Sequence, residues 1–360
     1  MANNDIRKVI VEEGLQKSPM TRKIMERVPN AGTFNESPDS SVKGFMGKDT
    51  LHLLSHKGEF LKPCPGTKEY ICCGYQILNV ATNCPLDCSY CILQSYFLNQ
   101  PYLRIHVNLE EKLPGILAFI DRDPEQIVRV GTGEFADSLA LDPLTRWTEI
   151  LMGPFSERKN AVLEFKTKTN RIEGLIFSPY RDRIIVSWSL NSQLISATEE
   201  KGAATLKQRL EAAKRCQAEG FVVSFHFDPL IPHKGWREGY LRTIDLMDRY
   251  LKPKGIIWIS MGSLRFMPDL KPIIRKRHPE TAILDGEFIT GLDGKVRYFK
   301  PIRMALYDFM RQNLEKWHSD SGLYLCMESD EIWRKSMGWS PKDSNGLKGF
   351  LDDRVRRIFK

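Results

Sequence analysis

The chain has 360 residues, of which 42% are hydrophobic and 27% charged, and its formal net charge is +8. These values are ordinary for a globular protein and exclude a disordered or fibrous chain. No apolar run approaches the roughly 18 residues of a membrane span, and the N-terminus lacks the apolar core of a signal peptide, so we expect a cytoplasmic protein with no membrane partner. The positive charge favours an anionic partner.

The N-terminal region, residues 1–70, is predicted to be an extension followed by a linker. Residues 20–28 (MTRKIMERV) have a pattern typical of a short helix, and residues 30–44 (NAGTFNESPDSSVKG) are rich in Ser, Asn and Gly. The alternation of strand and helix patterns begins only after this region. We therefore predict a central catalytic domain at 71–265 and a basic, helical C-terminal region at 266–360 that packs on it.

Six segments rich in Val, Ile or Phe are predicted to be strands: 75–82, 127–133, 161–168, 184–190, 221–227 and 255–260. Helical patterns lie between them and are clearest at 204–219 and 239–250. Repeated β/α units favour parallel strands joined by right-handed crossovers. The predicted fold is α/β, a partial TIM-like (β/α)6 barrel, whose active site should lie at the C-terminal ends of the strands.

Three cysteines with C-x3-C-x2-C spacing follow the first predicted strand, in the run ATNCPLDCSYCILQ. Thiolates of Cys84, Cys88 and Cys91 can ligate three irons of a [4Fe–4S] cluster and leave the fourth iron open to a small molecule. Zinc is the main alternative, but a structural zinc site needs a fourth ligand. The spacing therefore favours the cluster.

Polar residues at the ends of the next strands are further site candidates. In GTGEFADS the glycines let the backbone approach a ligand, and Glu134 offers a carboxylate to an ammonium group. The run FKTKT places Lys166 and Lys168 near the rim, where an ammonium group can pair with a carboxylate. In SWSLNS only alternate side chains can face inward, and we prefer Ser189 and Asn191.

Basic and aromatic residues alternate between residues 295 and 303, in the run KVRYFKPIR. This mixture suits phosphate contact combined with base stacking, although a solvated face gives the same pattern. The predicted nucleic-acid contacts are Arg297, Tyr298, Lys300 and Arg303.

The cysteine motif after a strand resembles the radical S-adenosyl-L-methionine (SAM) superfamily. In that superfamily the open iron of a [4Fe–4S] cluster binds SAM, and one electron cleaves SAM to a 5′-deoxyadenosyl radical. The resemblance implies that Tyr90 lies beside the adenine, that Glu134 holds the SAM amino group, and that Lys168, Ser189 and Asn191 contact the cofactor. It also implies an electron donor such as a flavodoxin or ferredoxin.

A closer resemblance, to the spore photoproduct lyase family, covers most of residues 60–250. Four separated runs carry it: CSYCILQSYFLNQPYLRIHVNLEE, DSLALDPLT, SLNS and PLIPHKGWREGY. That family reverses a thymine dimer, so the resemblance implies a radical SAM lyase that acts on crosslinked thymines in DNA. Residues after about 320 match poorly.

Two departures from the family concern the return of a hydrogen atom to the product. The family has a donor cysteine where this chain has Glu134, and a tyrosine where it has Ile92. A carboxylate O–H bond is too strong to give up a hydrogen atom readily, whereas a thiol S–H bond is weak enough. Either the chemistry is altered or another thiol is the donor; the candidates are Cys326, which is predicted to be catalytic, and the group Cys64, Cys72 and Cys73.

Three classes of function stay open at this point. The first, which we favour, is the radical SAM lyase acting on a DNA lesion. The second is a radical SAM enzyme with a substrate other than DNA, which the missing donor cysteine supports. The third is a non-catalytic iron–sulfur or nucleic-acid-binding protein. The sequence does not indicate the oligomeric state.

Overall fold

The computed structural model describes residues 6–35, 47–67 and 69–360, so residues 36–44 of the predicted linker lie outside the described part. The strands are, in chain order, β1 (Lys8–Val11), β2 (Gly32–Phe34), β3 (Thr50–Leu54), β4 (Leu61–Pro63), β5 (Gln76–Leu78), β6 (Ala81–Thr82), β7 (Asp87–Cys88), β8 (Leu103–His106), β9 (Val128–Gly131), β10 (Ala161–Thr167), β11 (Ile184–Ser189), β12 (Glu200–Lys201), β13 (Val222–Leu230), β14 (Ile256–Ser263), β15 (Arg265–Phe266), β16 (Phe288–Thr290), β17 (Val296–Tyr298) and β18 (Leu323–Leu325).

Several of the α-helices begin where a capping residue or a proline favours a helix start. Thr205, for example, precedes α8 and forms a capping box with Gln208, which satisfies backbone N–H groups that would otherwise lack partners. The helices are α1 (Pro19–Arg27), α2 (Leu93–Tyr96), α3 (Leu109–Ile120), α4 (Asp142–Thr145), α5 (Trp147–Ser156), α6 (Glu173–Ile176), α7 (Gln193–Thr198), α8 (Leu206–Ala218), α9 (Trp236–Tyr250), α10 (Leu270–Arg277), α11 (Lys300–Trp317), α12 (Asp330–Ile332) and α13 (Ser344–Ile358).

The main sheet is an open, curled half-barrel with the strand order β18-β14-β13-β11-β10-β9-β5-β4. All neighbouring pairs from β5 to β18 are parallel, and β4 is antiparallel at the edge. Five of the six predicted strands are confirmed within a few residues. The predicted strand 75–82 is divided into β5 and β6, which belong to different sheets. Strand β18 was not predicted as part of the barrel, because three apolar residues give too short a pattern.

The N-terminal region contains strands that the sequence analysis did not predict. Strands β1, β2 and β3 join β8 and β6 in a second sheet with the order β2-β1-β3-β8-β6. Val9, Leu51 and Leu53 are fully buried in it. The description of this region as an extension and linker is therefore corrected, since short apolar runs separated by polar turns escape a periodicity analysis. The predicted helix at 20–28 is confirmed as α1.

The two sheets meet directly before the cysteine motif. Strand β5 belongs to the half-barrel, and β6, two residues later, belongs to the second sheet. The loop that follows packs on a separate apolar cluster that includes Leu86, Tyr90, Phe266, Leu284 and Tyr298. Both sheets and this cluster thus fix the position of the loop.

In the ranges that the structure describes, no helix combines the length and the apolar character required to span a bilayer.

Candidate functional site

The cysteine loop is anchored on both sides. At its start, Asn83 has a φ of 73° and its side-chain amide donates a hydrogen bond to the carbonyl of Pro101 at 2.8 Å. In its middle, β7 pairs with β12. The carboxylate of Asp87 accepts from Lys48 at 3.1 Å and from Arg277 at 2.6 Å. Burial opposes the charge of Asp87, but these two cations hold its pKa below the usual range.

The three cysteines of the motif line one cavity of about 720 Å³. Cys88 is buried, and Cys84 and Cys91 are half-buried. Burial raises the pKa of Cys84 to about 12, so a metal's positive charge would be needed to hold it as a thiolate. Across residues 6–35, 47–67 and 69–360, no three His, Cys, Asp or Glu side chains are placed around a single ion.

Tyr90 lines the same cavity, and a hydrogen bond holds its hydroxyl in place. The hydroxyl donates a hydrogen bond to the carboxylate of Glu200, which also pairs with Arg209 at 2.5 Å in a fully buried ion pair. The ammonium of Lys168 lies 5.7 Å from the centroid of the Tyr90 ring. The predicted Tyr90 and Lys168 are thus brought together, with one ring face and one cation directed at the space beside the cysteines.

The loop after β9 carries the predicted Glu134, which is exposed and lines the cavity. A Cβ at the preceding Gly133 would lie 2.9 Å from Cβ of Lys166, so only glycine allows this close approach between loop and strand. The carboxylate of Asp137 locks the loop to the end of β10, accepting from the backbone N–H of Lys168 at 2.8 Å. Asp137 was not predicted, although its position three residues beyond Glu134 could have suggested a loop anchor.

The structure separates the two residues predicted at the end of β11. Ser189 lines the cysteine cavity. Asn191 does not line this cavity, and its side chain is committed within the protein: its amide donates to the carbonyl of Pro229 at 2.8 Å, and its oxygen accepts from the hydroxyl of Tyr240 at 2.7 Å. The predicted cofactor contact by Asn191 is therefore not supported, because its polar groups already have partners.

A second cavity of about 610 Å³ opens inside the half-barrel beside the first. Both cavities are lined by Glu134, Lys166 and Asp228. Burial lowers the pKa of Lys166, but the carboxylates of Glu134 and Asp228 outweigh this effect and raise it. The boundary between the cavities thus includes an ammonium group whose charged form is favoured by two carboxylates.

The inner wall of the second cavity is a hydrogen-bonded network centred on Glu164 of β10. Its carboxylate accepts from Tyr75 at 2.7 Å, from Ser224 at 2.7 Å and from His226 at 2.9 Å, and also from Ser187. Burial alone would raise the pKa of Glu164, but these partners, His226 first, hold it well below the usual range. Sequence analysis missed this network because Glu164 lies in the middle of β10, away from the strand end, and its partners come from other parts of the chain.

Four cysteines outside the motif lie near this cavity. Cys64, Cys73 and Cys326 line it. Cys72 is close to Cys64 and Cys73, since its thiol forms hydrogen bonds with both of their thiols. The hydrogen bond with Cys64 has the largest effect and raises the pKa of Cys72. The predicted group of thiols and the predicted Cys326 therefore belong to one region of the fold.

Asp228 and Arg265 are site residues that the sequence analysis missed. Arg265 donates to the Asp228 carboxylate at 3.0 Å and to the sulfur of Cys326 at 3.4 Å. Burial opposes the charge of Asp228, but Arg265 holds its pKa below the usual range. Asp228 could have been found as a carboxylate near the end of a predicted strand, whereas no signal marks Arg265.

The predicted nucleic-acid contacts are mostly buried. Arg297 is 1% exposed and pairs with Asp293 at 2.7 Å, and Arg303 is 4% exposed and pairs with Glu328 at 2.6 Å. Tyr298, 1% exposed, belongs to the apolar cluster beneath the cysteine loop. The prediction is therefore corrected for these three residues, since neither buried guanidinium group nor the buried ring is accessible to DNA.

Lys300 differs from these three residues because its side chain is 39% exposed. It forms an ion pair with Glu331 at the protein surface. Its contact with nucleic acid stays a prediction.

Comparison with known proteins gives a consistent match. A family model described as spore photoproduct lyase matches residues 69–314. The spore photoproduct lyase of Bacillus subtilis (strain 168) is 28% identical over 211 residues, which is 58% of this chain and 61% of that protein. The alignment thus spans about three fifths of the relative.

Solved structures of spore photoproduct lyase share the fold. The enzyme complexed with dinucleoside spore photoproduct superposes with a TM-score of 0.78 at 22% identity, covering 89% of this chain and 98% of that one. A variant with bound AdoMet and dinucleoside spore photoproduct gives a TM-score of 0.78 at 22% identity, covering 90% and 99%. The half-barrel and its flanking sheet are thus the architecture of these proteins.

Proposed function

Because the chain belongs to the spore photoproduct lyase family, we propose that it is a radical SAM enzyme, a carbon–carbon lyase that acts on crosslinked thymines in DNA. A [4Fe–4S] cluster and SAM would together supply a 5′-deoxyadenosyl radical, which removes a hydrogen atom from the substrate. The protein's part is to hold these groups, to place the lesion and to keep water out.

The residues of the first cavity have the chemistry to hold both cofactors. Three thiols of the motif suit the cluster and leave one iron open. Tyr90 offers a ring face to the adenine, and Ser189 offers a hydroxyl. Glu134 suits the amino group of SAM, and Lys168 its carboxylate, because each provides the opposite charge.

The observation that carries the proposal is the direct contact between the two cavities. The cysteine-lined cavity and the cavity inside the half-barrel share Glu134, Lys166 and Asp228. A base placed in the second cavity would therefore lie next to the space where the radical is formed. A radical enzyme needs this proximity because hydrogen-atom transfer requires the reacting atoms to be close.

DNA would approach from the open face above both cavities. A third cavity, of about 1250 Å³, is lined there by Tyr96, Phe135 and Lys295, and Tyr96 is 50% exposed. Aromatic rings beside an ammonium group suit a flipped base and its phosphate. This face takes the place of the buried residues that the sequence predicted for DNA.

The test is an anaerobic assay of iron-reconstituted protein with SAM and dinucleoside spore photoproduct. Dithionite replaces the proposed flavodoxin or ferredoxin donor. We expect 5′-deoxyadenosine and restored thymidine together. In Cys88→Ala, iron content and both products should fall together. The control is Cys216→Ala, whose side chain is buried in α8 away from the cavities, and this variant should keep the iron.

The departures at Glu134 and Ile92 favour one second candidate, a radical SAM enzyme with another substrate. Ile92 lines the cysteine cavity, where its side chain carries no hydroxyl. Formation of 5′-deoxyadenosine without thymidine would support this second candidate. Absence of both products from protein with a full complement of iron would contradict both enzymatic proposals and favour a binding protein.

A further inference from the structure

The proposed lyase reaction leaves a carbon radical on the product that needs a hydrogen atom. Glu134 and Ile92 provide no weakly bound hydrogen, so a thiol within reach of the second cavity is required. The thiols that line this cavity are those of Cys64, Cys73 and Cys326. The inference that follows rests on the proposed function.

Cys326 lines the second cavity beside Arg265. It follows β18, and its backbone N–H donates to the carbonyl of Met261 at 2.8 Å, which fixes it at the C-terminal end of the last barrel strand. Its sulfur accepts a hydrogen bond from Arg265 at 3.4 Å. Arg265 is in turn held by Asp228, which lines both cavities. The thiol is thus joined, through Arg265, to a carboxylate that both cavities share.

The other two thiols are placed less well for this role. Cys73 comes before β5, and its side chain packs against the main apolar core. Cys64 directly follows β4. Its backbone N–H donates to the carbonyl of Tyr75, which precedes β5, at 2.8 Å. None of these three thiols lines the cysteine-motif cavity, but Cys326 is joined through Arg265 to Asp228, which does.

The surroundings of Cys326 keep its hydrogen on the sulfur. Burial raises the pKa of its thiol well above the usual value, and Asp228 adds to this although Arg265 opposes it. A protonated thiol is required, because a thiolate carries no hydrogen to give. The residue is nevertheless only partly buried, so a ligand in the cavity can reach it.

We propose that Cys326 is the hydrogen-atom donor of this protein. The S–H bond breaks and a C–H bond forms on the product radical, leaving a thiyl radical on Cys326. A small thiol of the reducing medium then gives its hydrogen atom to this sulfur, and two of the resulting small thiyl radicals combine as a disulfide. Each transfer moves one proton with one electron, so charge is conserved at each step.

The first test is deuterium transfer from the thiol. In D2O the thiol carries deuterium, and the restored thymine methyl group should gain one deuterium in the wild type. Cys326→Ser keeps the size of the side chain but has a strong O–H bond, so we expect 5′-deoxyadenosine to form while deuterium transfer is lost. Cys73→Ala should keep the transfer. Deuterated thymine from Cys326→Ser would overturn the proposal.

The second test needs no turnover and separates this inference from the proposed function. Protein without reductant is treated with methylmercury hydroxide, which binds sulfur strongly enough to displace the proton of a neutral thiol, and the labelled cysteines are mapped by mass spectrometry. Dinucleoside spore photoproduct should protect Cys326, whereas an unlinked thymidine dinucleoside should protect it less. If the lesion leaves labelling of Cys326 unchanged, the inference fails even where the wild type restores thymidine. If protection is seen without turnover, the proposed reaction fails and the site still binds the lesion.

Discussion

The buried ion pair between Glu200 and Arg209 should control both stability and the placement of the cysteine loop. Their side chains are 1% and 0% exposed, and the two charged groups lie 2.5 Å apart. Glu200→Gln keeps the volume and still accepts from Tyr90, but it leaves the guanidinium of Arg209 without its counter-charge. Removing one partner of a buried pair costs about 3–5 kcal/mol.

The size of the expected change in melting temperature follows from the chain length. Unfolding entropy near the midpoint is about 2.1 cal/mol/K per residue. For 360 residues this gives about 0.75 kcal/mol/K, so Glu200→Gln should lower the melting temperature by about 4–7 °C. Iron bound per chain after reconstitution should also fall, because β12, which carries Glu200, pairs with β7 of the cysteine loop.

The assay is calorimetry of the purified proteins combined with iron analysis. Glu280→Gln is the matched control. It removes an exposed ion pair with Lys201, the residue next to Glu200 in β12, and should leave the melting temperature unchanged. Adding Arg209→Met to Glu200→Gln should recover part of the loss, since no unpaired buried charge is left. A melting temperature of Glu200→Gln equal to that of the wild type would refute the reasoning.

Two further changes test the packing and the electrostatics. Gly131→Ala would place a Cβ within 2.7 Å of a ring carbon of Tyr75, so it should destabilise the half-barrel by about 1–3 kcal/mol in urea unfolding. The control Gly115→Ala, which has open space around its Cβ, should not be destabilised. Equal urea midpoints of the two variants would contradict this reasoning. Burial lowers the pKa of His106 from 6.5 to about 4, so the unfolded chain binds the proton first and stability should fall as pH drops from about 6.5 towards 4. The fall should be smaller in His106→Gln, and identical pH profiles of the two proteins would exclude this histidine as the cause.

The barrel could be predicted because parallel strands buried on both faces have a strong sequence pattern. Strand β14, for example, begins with four apolar residues and is buried along its whole length. The cysteine motif and the residues at strand ends were also predicted, since parallel strands bring their C-terminal ends to one edge. The prediction thus succeeded where chemistry and periodicity are both local.

The parts that were missed depend on contacts distant in the sequence. In the sequence, Arg297 looks like an exposed basic residue beside an aromatic one. In the structure it pairs with Asp293, and its guanidinium lies 4.0 Å from the centre of the Tyr70 ring. Arg265 has no motif, and only the fold brings it to Asp228 and Cys326. Basic residues in a short run therefore say little about exposure until the partners of each charge are known.

The order in which the two sheets can be completed has a consequence for biosynthesis. All strands of the second sheet lie within the first 106 residues, whereas the half-barrel is closed by β18 at residues 323–325. Because chains emerge from the ribosome N-terminus first, the sheet that anchors one side of the cysteine loop can form early, and the barrel wall opposite is added last. The cysteine loop also packs on Phe266, Leu284 and Tyr298, so it gains these partners only after most of the chain has been synthesised.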